Sequence, residues 1–304
     1  MRINSQMMAN SMVSTLQANL SRMSKLNQQI GGQTRLIVPS DDPIASTRMV
    51  QLNREQAAIT QYQSNIVRLS GNLSTQETQV NAVSNQVLSI QDTLLAASNG
   101  THSAKDMEGY GQEIDSMIDS LVASMNTRNE DGRYVFAGTK NDQPPVVYDE
   151  ESGQYIYQGN DGTRSTTVAN GVDIQENTPL CQAFGDGSDP MALLNQLNDL
   201  SKKMKDPTQN QADYQDEINR ALSNVKSTSD TISGLFTDLG GRQNRLTMLS
   251  DAHTDTAAAN ENVMHDLSDL DVGAPVEFQQ YYVASQAANK VYSMIADLSL
   301  FKVI

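Results

Sequence analysis

The chain has 304 residues, no Trp, five Phe, 38% hydrophobic residues and a formal net charge of −15. That acidity excludes nucleic acid and membrane insertion at an anionic surface, since both would repel it. A single cysteine, Cys181, excludes a disulfide framework and a thiolate metal cluster, and no run approaches the roughly 20 apolar residues of a membrane span.

Met1–Leu20 lacks the charged-then-apolar layout of a cleavable secretory signal, which taken alone predicts a cytoplasmic protein. A first helix is expected over residues 5–30, with Met8, Met12, Leu16, Leu20, Met23, Leu26 and Ile30 at steps of three or four. Gly31-Gly32 ends it, as glycine past a helix C-terminus does. An extended piece, Thr34–Val38, leads into Pro39-Ser40-Asp41-Asp42-Pro43. There Ser40 or an aspartate suits the N-cap of the next helix, and Pro43 suits its first turn.

The chain is organised around the stretch from Leu52 to Ala97. Apolar residues recur there at Ile59, Tyr62, Ile66, Leu69, Leu73, Val80, Val83, Val87, Ile90 and Leu94, and only Gln76 interrupts the series. This is a seam of 3.5-residue period, the mark of a long helix packed lengthwise on partners. At about 1.5 Å per residue it predicts a helix roughly 60–70 Å long, hence a rod. A third helix is expected over residues 104–129, with Met107, Tyr110, Ile114, Met117 or Ile118, Leu121 and Met125 on its seam. The short connection makes it an antiparallel neighbour of the second.

From Glu130 the period changes. Arg133–Gly138, Val146–Tyr148, Gln154–Gln158, Arg164–Val168 and Val172–Ile174 read as strands, divided by turn-rich pieces such as Asp149–Gly153 and Gly159–Gly162. A third of the Tyr and Phe residues fall between Tyr134 and Tyr157, which supplies the core of a small β domain. The loop Phe184–Pro190 closes this insert.

Helix resumes with Met191–Met204 and stops at Asp206-Pro207. A second long seam follows through Ile218, Ala221, Val225, Thr228, Ile232, Leu235 and Leu239, and continues through Arg242, Leu246, Leu249, His253, Thr256, Asn260, Val263, Leu267 and Leu270. Gly240-Gly241 inside it costs about 1 kcal/mol per glycine against Ala, so a bend would belong there. After Asp271–Pro275 a last helix carries Phe278, Tyr281, Ser285, Ala288, Tyr292, Ile295 and Leu298 towards Phe301 and Ile304.

The arrangement is nearly mirror-symmetric, and it predicts a mainly α fold. We expect an elongated rod of long antiparallel helices, paired terminal helices and a small β-rich insert. Residues 1–45 with 272–304 would form the terminal region, 46–132 with 189–271 the helical rod, and 133–188 the insert. The two ends should meet. Each terminal helix has one narrow seam, marginal alone in water, so both should fold only against copies or a partner. The expected assembly interface is Ile3, Met8, Met12, Leu16, Leu20, Met23, Leu26, Ile30, Phe278, Tyr281, Ala288, Tyr292, Ile295, Leu298 and Phe301.

No chemistry-bearing constellation competes with this reading. His102, His253 and His265 form no metal pair, and Asp186–Asp189 lacks EF-hand spacing. Asp41-Asp42, flanked by Ser40 and Pro43, reads as helix capping rather than a catalytic pair. Cys181 reads as a small buried residue beside a loop. No active site, metal or cofactor is expected.

Several passages resemble the flagellin superfamily and, within it, the hook–filament junction proteins. They are Met1-Arg2-Ile3-Asn4 with Met7-Met8, Leu36–Ala45 with its Ser40-Asp41-Asp42-Pro43 core, Leu267–Asp271 and Leu298–Phe301. The most specific is Asp131–Lys140, with Gly132, Arg133, Tyr134, Phe136 and Gly138. Val272–Val276 departs from the acidic, alanine-rich helix start common in that family. The resemblance implies an extracellular structural protein of the bacterial flagellum, exported unfolded by the flagellar type III apparatus without a cleaved signal. It implies self-association into a ring, contacts with the first hook-associated protein and flagellin, and an export chaperone covering the last helix. A flagellin filament subunit, a secreted coiled-coil adhesin or effector, and an enzyme carried in the insert remain alternatives.

Overall fold

The computed structural model describes residues 2–100, 102–209 and 211–300, without the side chains of residues 2–6, 211, 213 and 295–300. In chain order these residues form α1 (Arg2–Gly32), α2 (Pro43–Ser98), α3 (Ala104–Met125), β1 (Val146–Asp149), β2 (Gln154–Tyr157), β3 (Ser165–Ala169) and β4 (Val172–Gln175). A 3-10 turn (Leu180–Ala183) precedes α4 (Ala192–Met204), α5 (Gln211–Ser268) and α6 (Ala274–Leu300). The fold is mainly α with a small β insert, as the periodicity predicts. Gly240-Gly241 does not interrupt α5.

The chain divides into two compact units, residues 1–58 with 254–304 and residues 59–253. In the first, α1 packs on α6, so the two terminal helices meet.

The second unit holds the main core. On α2, Leu69, Leu73, Val80, Val83, Val87, Ile90 and Leu94 are buried, as the seam requires. They join Ile114, Ile118 and Leu121 of α3, Leu194, Leu197 and Leu200 of α4, and Ile218, Val225, Ile232 and Leu239 of α5. Each such side chain contributes roughly 1.5–3 kcal/mol by leaving water. Ser103 opens α3 with a reciprocal capping box to Asp106. Gly111 lets α3 approach α4 closely: a Cβ there would sit 3.1 Å from the Ser201 carbonyl oxygen, and Ser201 Oγ donates to Gly111 O at 2.9 Å.

Two antiparallel pairs make up the insert. β1 and β2 pair from Val146↔Tyr157 to Asp149↔Gln154, and β3 and β4 from Ser165↔Gln175 with a bulge between Thr167 and Ala169. Arg133–Gly138, expected as a fifth strand, is not one. Its Tyr134 makes an isolated bridge to Arg128, and Gly132 and Gly138 turn the chain on either side with φ of 75° and 70°. The backbone groups of this passage bond to loops instead, Tyr134 N–H to Asn141 O at 2.9 Å and Val135 N–H to Thr127 O at 3.0 Å. The third helix also stops at Met125, short of the expected Asn129, because Asn126 leaves the helix to bond β1.

Gln76, the one break in the long seam, is 5% exposed and donates through Nε2 to Glu176 O at 2.6 Å. The seam breaks where the insert is fastened to α2.

Candidate assembly surface

The α1–α6 pair is built from the predicted seams. Leu26 is buried, Met12, Leu16, Met23 and Ile30 are half-buried, and so are Phe278, Tyr281 and Ala288 opposite them. Ser285 is buried in the same seam. Arg22 stacks over the Tyr281 ring at 5.5 Å and donates to its hydroxyl at 2.9 Å. The side chains of Ile3, Ile295 and Leu298, and the whole of Phe301, lie outside the described residues.

Pairing leaves much apolar surface uncovered. On α1, Met7, Met8 and Leu20 stay largely exposed; on α6, Val276, Val283, Val291 and Met294 do. At 100° per residue these four α6 residues share one arc of the helix, turned away from Tyr281 and Ser285. Tyr292, a predicted seam residue, is also 42% exposed. An amphipathic helix with an apolar stripe beyond the one its partner covers has unused packing surface.

At the base of this pair sits the Ser40-Asp41-Asp42-Pro43 motif, working as a clasp. Asp41 accepts from Lys25 Nζ at 2.6 Å and from the Ile37 and Val38 N–H groups at 3.1 and 3.2 Å. The Lys25 hydrogen bond and then the two backbone N–H groups hold its carboxyl below the usual range. Asp42 caps α2, accepting from Ile44 N–H at 3.2 Å and Ala45 N–H at 2.9 Å, and pairs with Arg35 at 3.4 Å. Pro43 is the first helical residue; Ser40 is exposed and does not serve as the cap. Arg35 in turn closes the end of α5. Its Nε donates to Leu267 O at 2.8 Å and its N–H to Ser268 O at 2.9 Å, satisfying carbonyls that the last helical turn leaves open.

The Gly132–Gly138 motif lies in the other unit and holds the insert together. Phe136 is fully buried, and its carbonyl accepts from the Tyr157 hydroxyl at 3.1 Å. A Cβ on Gly138 would overlap the Asn160 carbonyl oxygen and Oδ1, while Arg164 donates to Gly138 O at 3.2 Å. Tyr134 carries the Arg128 guanidinium 4.5 Å above its ring, whereas Arg133 is exposed.

Other residues singled out in the sequence are structural. His102 bonds the Ala96 and Asn99 carbonyls at the end of α2, His253 stacks on Tyr62 at 5.5 Å, and His265 lies 3.3 Å from Asp269. Burial pushes the Cys181 thiol up to about 11, so it stays protonated near neutrality. Among the described residues no group of His, Cys, Asp and Glu is placed to hold a metal, and no helix is long and apolar enough to cross a membrane.

Sequence reasoning missed the asparagines. Asn195 and Asn198 of α4 are buried, bonding Tyr155 and Gly153 of the first hairpin, and Asn126 bonds Val146. The only signal was a polar residue between seam leucines, which equally marks a solvent face.

The comparisons with known proteins agree with this architecture. The family model described as the bacterial flagellin N-terminal helical region matches residues 3–141. A protein of Vibrio parahaemolyticus, whose solved structure is described as that of a flagellar hook-associated protein, is 34% identical. The match covers 75% of this chain and 100% of that one, with a TM-score of 0.68. Flagellar hook-associated protein 3 of Escherichia coli K12 is 29% identical, and that of Salmonella typhimurium 27%, each over 99% of both chains. The chain belongs to the flagellar hook-associated protein 3 family. As a member of that family it is a structural component of the bacterial flagellum. Both motifs that carried the resemblance, Asp41-Asp42 and Gly132–Gly138, turn out to be fasteners of the family fold.

Proposed function

We propose that the chain is a non-enzymatic adaptor joining the hook, through the first hook-associated protein, to the flagellin filament. Residues 1–45 and 272–304 form an inner layer with the same regions of neighbouring copies in a ring. Residues 46–132 and 189–271 pack laterally, and residues 133–188 face outward. The chain reaches this extracellular site unfolded through the flagellar type III apparatus, and an export chaperone covers α6 before export. One observation carries the reading: the apolar arc of Val276, Val283, Val291 and Met294 remains uncovered after α6 has paired with α1. Covering such arcs on every copy supplies the driving force for assembly.

Deleting residues 1–30 or 278–304 tests it. Helicity of the remaining chain should persist while assembly is lost, and wholesale unfolding on circular dichroism would contradict the reading. Immunogold microscopy on intact cells, with antibody against residues 133–188, should label one narrow band between hook and filament. Label along the whole filament would make the chain a filament subunit instead.

A further inference from the structure

Burial decides which sulfur atoms of this chain meet solvent. The single thiol, Cys181, is 4% exposed and stays protonated, so it is a poor target for an oxidant. Met107, Met125, Met191 and Met204 are each at most 2% exposed and belong to the core of the second unit. Met12 and Met23, on the α1–α6 seam, are half-buried. Among the described residues four methionines stand largely in water: Met7 at 71%, Met8 at 62%, Met248 at 71% and Met294 at 52%. Three of these lie on the terminal helices. Met7 and Met8 are near the start of α1, and Met294 falls in line with Val276 on the uncovered arc of α6. Met248 is on α5, in the other unit.

A thioether packs as an apolar, adaptable side chain, yet a peroxide converts it to a polar one. The sulfur lone pair attacks one peroxide oxygen, the O–O bond breaks, and the departing hydroxide takes up the remaining proton and leaves as water. Sulfur is oxidised to the sulfoxide and the peroxide is reduced. The new oxygen is a hydrogen-bond acceptor where none stood before. Covering it without a donor is unfavourable, so an apolar arc that carries a sulfoxide packs less well than the unmodified one.

We propose that Met7, Met8 and Met294 make self-association of this chain sensitive to peroxide. Oxidation of the free chain weakens association, and packing between copies shields the same three sulfurs once it has occurred. Enzymatic reduction of the sulfoxides reverses the block. The inference rests on the reading of the terminal helices as the surface on which copies assemble.

The test uses the full chain and a limited dose of hydrogen peroxide, with peptide mass spectrometry locating each added oxygen. In the free chain Met7, Met8, Met248 and Met294 should be oxidised ahead of the half-buried and core methionines. In the associated chain Met7, Met8 and Met294 should be protected. For each sulfoxide that packing would cover, the oxidised chain should need a roughly tenfold higher concentration to associate in the ultracentrifuge, a factor equivalent to about 1.4 kcal/mol. The combined variant Met7→Leu, Met8→Leu and Met294→Leu keeps the apolar volume, so it should associate as before and be largely indifferent to peroxide. Met248→Leu should stay sensitive. Helicity on circular dichroism should be the same before and after treatment, and its loss would count against the proposal by placing the damage in the fold. Shielding of the three sulfurs with unchanged association of the oxidised chain would overturn the proposal and spare the assembly reading. Undiminished sensitivity of the combined variant would do the same. Oxidation of the three at equal rates in free and associated chain, or no association at any concentration, would defeat the assembly reading and this inference with it.

Discussion

Gly138→Ala offers the sharpest check on how the insert is held. The substitution acts in two ways. Position 138 has φ of 70°, a left-handed conformation that costs an L-residue about 1–2 kcal/mol. The new methyl would also occupy the space of the Asn160 carbonyl, so the 159–162 turn must retreat. Retreat breaks the bond from Asn160 N–H to Ala137 O at 3.3 Å and that from Thr139 N–H to Asn160 Oδ1 at 2.8 Å, each worth about 1 kcal/mol net. The total is about 3–4 kcal/mol. Gly132→Ala is the natural control, because φ there is 75° but nothing lies within 4 Å of the added methyl. It should cost only the dihedral share, about 1–2 kcal/mol.

Urea unfolding followed by near-ultraviolet circular dichroism of the insert tyrosines would read both variants. The midpoint of Gly138→Ala should fall clearly below that of Gly132→Ala. Equal losses would show that the backbone dihedral alone matters and that contact with Asn160 holds nothing.

Two predictions concern the clasp. The folded Asp41 carboxyl lies below its unfolded value, so the stabilisation it provides is present above about pH 3.9, the ordinary aspartate value, and is lost as pH falls through the folded value. Asp41→Asn should flatten that acid limb of the melting curve, and an identical limb in wild type and variant would count against the clasp. Gln33 holds φ of 50° just past α1, although Gly31 and Gly32 precede it within the helix. Gln33→Gly should therefore stabilise the α1 terminus by up to about 1 kcal/mol, slowing exchange of the Thr34 amide that bonds Gln29 O. Faster exchange would refute it.

The helices were legible because their seams are long and regular: Leu69 to Leu94 are buried as the period demands, and so are Ile218, Ala221, Val225, Thr228, Ile232 and Leu239, with Leu235 half-buried among them. The terminal seams were legible only in part. Met12, Leu16, Met23, Leu26 and Ile30 are buried or half-buried, whereas Met8, Leu20 and Tyr292 on the same predicted seams stay exposed. The outward arcs were not legible. Val276 and Val283 carry no periodic mark that separates a second docking stripe from scattered surface residues. The aromatic run Arg133–Gly138 misled because β propensity reports a fit to half-buried surroundings, and here a bed of loops supplies them. Asn126, Asn195 and Asn198 were illegible for a further reason. An amide that replaces a strand's peptide group does its work across 20 to 45 residues of sequence.

One pattern joins these observations. The second hairpin is fastened to the long helices through its main chain. Asn65 donates to Thr167 O at 2.9 Å, Gln76 to Glu176 O at 2.6 Å, and Arg242 to Asn177 O at 3.3 Å. His253 completes the set, its Nε2 standing 2.8 Å from Val168 O. A carbonyl oxygen is the same whatever side chain its residue carries. Fastening of this kind ties the specificity to α2 and α5 and leaves the outward side chains of β3 and β4 free to vary. A scaffold whose helices carry the anchoring side chains can keep its architecture while its insert diverges in sequence.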